Sequence, residues 1–142
     1  MSNPIPRTLL AGWAVLIVED DFDSREIAVR VLRHYGAQVY TAQNGQEALA
    51  VLETMTPRFI ISDLSMPVMT GWELIARLKA DARFCDLPVI ALTAHAMVGD
   101  KEKATAAGFY DHLTKPLSAS NFMRDLVALL QSVPQFTESL AY

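Results

Sequence analysis

Ala14-Val15-Leu16-Ile17-Val18 runs straight into Glu19-Asp20-Asp21. Five successive apolar residues, with no polar residue between them, suit a strand covered on both faces, as in a parallel sheet. The acidic run marks where that strand ends. Upstream, Thr8 to Trp13 prolongs the apolar stretch into something like a short signal-peptide core. The stretch is too short to cross a bilayer, which takes about 20 apolar residues. No small-x-small cleavage site precedes the acids. The reading is therefore a buried strand after an N-terminal extension, in a cytoplasmic chain.

Downstream, four more short apolar runs follow, at 38–41, 59–62, 88–93 and 109–113. The first of these is more polar, as an edge strand would be. Helical patterns separate the runs. Ile27, Ala28, Val31, Leu32 and Tyr35 share one helical face that stops at Gly36. Asn44 with Glu47 forms a capping pair ahead of Ala48, Leu49, Leu52 and Met55, and Pro57 ends that helix. Thr70-Gly71-Trp72-Glu73 opens a third helix that buries Trp72, Ile75 and Leu78. A short, weakly amphipathic fourth helix is expected over 98–107, with Gly108 as its C-cap. A fifth begins near Ser118 and carries Phe122, Leu126, Leu129 and Leu130. Five strand–helix alternations predict an α/β fold, a (βα)5 doubly wound five-stranded parallel sheet with right-handed crossovers. The expected organisation is an extension over 1–13, one domain over 14–131 and a tail over 132–142, with no room for an output domain.

Composition narrows the function. The 142 residues fit one domain, and 51% apolar content fills a core. A net charge of −4 argues against a nucleic-acid-binding surface. A single cysteine, Cys85, excludes an internal disulfide and a cysteine-based zinc site. No membrane association is expected.

In a doubly wound sheet, ligands bind beyond the carboxyl ends of the strands. Those ends carry Glu19-Asp20-Asp21, Asp63, Thr93-Ala94 and Thr114-Lys115-Pro116. Clustered carboxylates repel one another, and a hard divalent cation relieves the repulsion; Mg²⁺ takes oxygen ligands, water and phosphate. A lysine and a hydroxyl opposite the metal suit the remaining oxygens of a phosphoryl group. A carboxylate can be the nucleophile of such a transfer. Asp21 or Asp23 is also placed to cap the first helix.

These residues resemble the receiver domain of bacterial two-component response regulators, the CheY-like superfamily. The motifs are Val15-Leu16-Ile17-Val18-Glu19-Asp20-Asp21, Asp63-Leu64-Ser65-Met66-Pro67-Val68-Met69-Thr70-Gly71, Ala91-Leu92-Thr93-Ala94 and Lys115-Pro116, in that order, and the match covers 14–131. The resemblance implies a flavodoxin-like sheet of strand order 2-1-3-4-5. It implies that Asp63 is the phosphoacceptor and that Asp20 and Asp63 ligate Mg²⁺ directly. Ser65 would offer its backbone carbonyl to the metal, and Glu19 would act through bound water. Thr93 would donate its hydroxyl to the phosphoryl group, and Lys115 would pair with a phosphoryl oxygen across a cis bond to Pro116. Thr93 and His112 would form the switch, with His112 where the family usually has an aromatic residue. Ser65 and His95 would border the attacking water and tune phosphoryl lifetime. His34 is expected to meet the dipole of the first helix.

The implied partners are a histidine kinase or histidine phosphotransfer protein as donor, and a downstream protein target. The target would meet the face made by the fourth helix, fifth strand and fifth helix. The implied protein is a signalling switch rather than an enzyme, a monomer or weak dimer. Met1 and the short tail suggest a stand-alone regulator; a receiver module of a larger hybrid kinase or regulator is the alternative. A phosphate-independent scaffold would lack an Asp, Thr or Lys of this set, and none is missing. An aspartate-nucleophile phosphohydrolase typically has a second aspartate where Ser65 stands.

Overall fold

The computed structural model describes residues 4–94 and 100–142. Five strands, β1 (Ala14–Val18), β2 (Gln38–Ala42), β3 (Phe59–Asp63), β4 (Val89–Thr93) and β5 (Asp111–Thr114), alternate with five helices. These are α1 (Phe22–His34), α2 (Gly45–Leu52), α3 (Gly71–Lys79), α4 (Asp100–Ala107) and α5 (Ala119–Gln131). All strand pairs are parallel, in the order β2-β1-β3-β4-β5. The fold is the doubly wound, flavodoxin-like α/β sheet that the alternation and the resemblance implied.

Strand parity divides the core. Val15, Ile17, Phe59, Ile61, Ile90, Leu92 and Leu113 pack with α1 and α5; Leu16, Val18, Ile60, Val89 and Ala91 pack on the α2–α3–α4 side. Side chains alternate along each strand, yet both faces are covered, which is why β1 and most of β3 and β4 read as apolar runs rather than as alternating ones. β2 is the edge strand and is mostly exposed.

Local chemistry sets the helix ends. Asp21 caps α1, its carboxylate accepting the Ser24 N–H at 2.9 Å. Asn44 caps α2 by accepting from Glu47 N–H, whereas the Glu47 side chain reaches back to Gln43 N–H rather than to the cap residue. Thr70 and Glu73 close a full capping box on α3. His34 stands in the last turn of α1, where positive charge is favoured. α2 stops at Leu52, well before Pro57, because Glu53 and Thr54 turn back and the Thr54 hydroxyl donates to the Val51 carbonyl. On α1, Val29 is buried although the face read from the sequence omitted it.

The fifth strand was expected over 109–113 and is found at Asp111–Thr114. Gly108, at φ 117°, ends α4 in a Schellman closure: Gly108 N–H donates to Thr105 O and Phe109 N–H to Ala104 O. Phe109 therefore belongs to the helix end, and its burial is that of a residue folded back onto the core. The start of the fourth helix expected at Val98 lies outside the described residues.

The chain ends join the core. Leu10, Trp13, Val133, Phe136 and Leu140 are all buried in the α1–α5 cluster. Trp13 and Phe136 lie 4.8 Å apart between ring centroids, both near Phe59, and the Arg58 guanidinium sits 4.7 Å over the Trp13 ring. Backbone bonds from Leu10 to Tyr35 and from Gln38 to Trp13 tie the N-terminal segment to α1 and β2. The Gln131 side chain donates to the Leu140 carbonyl. Among the described residues, no helix is long and apolar enough to cross a membrane.

Candidate functional site

The carboxyl ends of β1, β3, β4 and β5 bring Glu19, Asp20, Asp63, Thr93 and Lys115 to one rim. Register does this: Val18 pairs with Ser62, Asp63 with Leu92, and Thr93 with Thr114. Lys115 N–H donates to the Thr93 carbonyl at 2.8 Å, which carries the lysine just past the end of β5.

Lys115 Nζ lies 2.8 Å from Glu19 Oε1 and 3.2 Å from Asp63 Oδ2, bonded to both. Asp63 Oδ1 accepts the Leu64 N–H at 2.8 Å and the Ser65 N–H at 3.4 Å. The Asp63 carboxylate is thus held by one cation and two backbone amides, and it is buried. Glu19 is fully buried, and burial raises its pKa above the usual carboxylate range against the opposing Lys115 bond. Burial also works against the Lys115 ammonium, but the bonds and charges of Glu19 and Asp63 outweigh it and hold its pKa above the ordinary lysine value. Asp21 is drawn below the usual aspartate value by the Ser24 N–H that it caps. It serves the helix.

The site is built for a cation. Carboxylate oxygens of Glu19, Asp20 and Asp63 all lie within 4.8 Å of one another. Glu19 Oε2 is buried with no hydrogen-bond partner. A carboxylate with a buried, unpartnered oxygen, clustered with two further carboxylates, is a donor set that a hard divalent ion can take.

This acid–lysine–threonine rim on a 2-1-3-4-5 parallel sheet agrees with the family profile described as response regulator receiver domain, which matches residues 15–127. The chain belongs to the response regulator receiver family. Receivers are the signalling switches of two-component systems, and they meet kinases or phosphotransfer proteins and downstream targets. A 14.6 kDa protein from the sodA1 3′ region of Leptolyngbya boryana is 42% identical over 115 residues, covering 81% of this receiver and 88% of that protein. The chemotaxis response regulator CheY4 of Vibrio cholerae superposes with a TM-score of 0.78 at 31% identity, over 83% of this chain and 98% of its own. The receiver domain of the sensor histidine kinase PA1611 from Pseudomonas aeruginosa PAO1, solved with a magnesium ion coordinated in its active-site cleft, superposes at 0.75 and 31% identity, over 86% and 100%.

Other expected residues of the receiver fall as follows. Ser65 is exposed beside Asp63, and the Lys115–Pro116 bond is cis. His112 lies on β5 opposite Ala91, partly buried. Its Nδ1 is 3.3 Å from Asp111 Oδ1 but makes no hydrogen bond, and that oxygen accepts the His112 backbone N–H. His95 lies outside the described residues.

Three further residues shape the site; the sequence reading missed Arg25 and named Gly71 and Trp72 only as motif and core residues. Arg25 donates to the carbonyl of Glu19 at 2.9 Å and reaches that of Asp20 at 3.5 Å, bracing the acidic loop from α1. Side-chain bonds to backbone carbonyls leave no residue-type signature, so no pattern announced it. Gly71 is the second: its amide donates to the Leu64 carbonyl, and a Cβ there would collide with the Asp63 carbonyl oxygen. The third is Trp72, expected to be buried but only half-buried because it lines a cleft of about 440 Å³ with Asp63, Ser65, Thr93, Ala94 and Lys115. In the loop between Asp63 and α3, the strongly exposed Val68 sits at φ 68°, a left-handed conformation unfavourable for a β-branched residue.

Proposed function

We propose that the protein takes a phosphoryl group from a phosphohistidine, carried by a sensor kinase or a phosphotransfer protein, onto Asp63. The observation that carries this reading is Lys115 Nζ bonded to both Glu19 and Asp63 within a cluster of three carboxylates. An Asp63 carboxylate oxygen attacks phosphorus while the bond from phosphorus to the donor imidazole nitrogen breaks, and that nitrogen leaves with the electron pair. Leu64 and Ser65 amides orient the attacking carboxylate through its other oxygen. Lys115 moves from its carboxylate bond to a phosphoryl oxygen, and the Thr93 hydroxyl takes another. Asp20 and Asp63, the Ser65 carbonyl, and Glu19 through water are the groups that would hold Mg²⁺. When bound, that ion neutralises charge on the transferring group. Ser65, exposed beside Asp63, and His95, by its place in the family pattern, tune how long the phosphoryl group persists.

The chain acts as a cytoplasmic signalling switch whose only chemistry is on its own Asp63. The phosphoryl group stabilises an arrangement in which Thr93 has moved and His112 has turned, and the α4–β5–α5 face changes the protein partner it favours. The deciding experiment is incubation with acetyl phosphate and Mg²⁺, followed by mass measurement of the intact chain. One phosphoryl group should be added to the wild type and none to Asp63→Asn. Equal labelling of the two would overturn the assignment.

A further inference from the structure

Trp72 follows Gly71 in the first turn of α3, and Gly71 is pressed against the Asp63 carbonyl. The Trp72 backbone therefore starts one residue from a close contact with the Asp63 carbonyl. The indole is the largest side chain lining the acceptor cleft. Its ring meets Phe109 edge-on, centroids 5.9 Å apart at 85°, and Phe109 is a buried residue at the closed end of α4. The other cleft residues near the acceptor, Ser65 and Ala94, are small and exposed. They leave space that water can occupy; Leu64 and Leu92 also line the cleft but are buried, and the half-buried indole is its largest apolar group.

Resting on the acceptor reading above, we propose that Trp72 is a cleft wall that limits the access of water to a phosphoryl group on Asp63, and so sets its hydrolytic lifetime. Hydrolysis forms a bond from a water oxygen to phosphorus as the bond from phosphorus to the Asp63 oxygen breaks. The carboxylate leaves with the electron pair, and the protons of the water pass to the released phosphate and the solvent. Crowding the approach with an apolar ring lowers the frequency of productive water positions without touching the acceptor's hydrogen bonds. The Phe109 contact fixes the ring's orientation, so the wall is rigid and not a flap.

The test uses the full chain with Trp13→Phe, which leaves Trp72 as the only one of the two tryptophans. The protein is loaded with acetyl phosphate and Mg²⁺, the donor is removed, and phosphoryl loss is followed by mass alongside indole emission. Emission should change on loading and return with the same rate constant as phosphoryl loss. Trp72→Leu and Trp72→Ala should lose the phosphoryl group about three- to tenfold faster, while Trp72→Phe stays near the parent. The Mg²⁺ titration midpoint should be the same in all, which a merely collapsed cleft would not preserve. If Trp72→Ala lacks a cooperative melt, the Leu and Phe variants decide. Parent-like decay in Trp72→Leu, or emission indifferent to loading, overturns the proposal. A parent that takes up no phosphoryl group at all overturns the acceptor reading and this one with it, and Asp63→Asn in parallel tells the two failures apart.

Discussion

The two ends of the central sheet are built from opposite chemistry. At the carboxyl ends of the strands, Glu19 and Asp63 are buried charges tied to one lysine, and Glu19 Oε2 has no partner. At the amino ends, Trp13, Phe59, Phe136, Leu10 and Leu140 fill an apolar floor. A buried ion pair returns little net stability, since desolvation offsets most of its attraction. Buried aromatic and aliphatic surface returns roughly 25 cal/mol per Å². The contrast teaches where each property resides: the floor contributes stability to the fold, while the rim holds clustered charge that suits ligand uptake.

Substitutions at the two ends should therefore part company. The largest stability effect belongs to the floor. Phe136→Ala should cost about 3–5 kcal/mol by urea unfolding, while the fraction still folded takes up phosphoryl groups at the wild-type rate. A loss of uptake in folded Phe136→Ala protein would mean that floor and rim are coupled. Next comes Lys115→Met, which leaves two carboxylates without their cation. It should cost about 2 kcal/mol in the absence of Mg²⁺, less than a fully buried pair because solvent screens the ammonium. Added Mg²⁺ should recover part of that loss in a thermal melt. Stability that is unchanged in chelator would show that the lysine bonds contribute nothing to the resting rim.

The contrast between the ends also shows what could be read before folding. The strands that run into the rim were legible because double-sided burial leaves apolar runs at Ala14–Val18 and over 59–61. The acids, Thr93 and Lys115 were legible because the ends of parallel strands converge. The floor was not: Leu10, Phe136 and Leu140 lie in segments too short and irregular to show a period, and only tertiary contact makes them core. The displaced start of β5 has a similar cause, since Phe109 is apolar enough for a strand but its amide is committed to closing α4. Arg25 was hidden because it acts on backbone carbonyls.

A smaller effect is expected from pH. The folded pKa of Glu19 is raised above its ordinary 4.5, chiefly by burial. The native state then holds a proton that the unfolded chain has released, so this group's stabilising contribution is present below 4.5 and is lost as pH rises through the folded value. In chelator, melts of the wild type should fall in stability upward from that pH relative to Glu19→Gln. Parallel profiles would show that Lys115 fully compensates the burial of Glu19. The smallest effect sits in the loop between the acceptor and α3. Val68→Asn should raise stability by about 0.5–1 kcal/mol, because asparagine tolerates a positive φ that valine does not. A melt at or below the wild-type midpoint would show that the loop gains from the valine side chain.

The contact between Trp13 and Phe136 has a kinetic side. It joins residues from near opposite ends of the chain, so forming it early would require closing nearly the whole chain as one loop. Such a contact is expected to form after the transition state for folding. Phe136→Ala should then quicken unfolding and leave the refolding rate almost unchanged in stopped-flow chevrons. On that account the floor is the latch of the molecule: closed last, it governs how long the assembled rim survives once made.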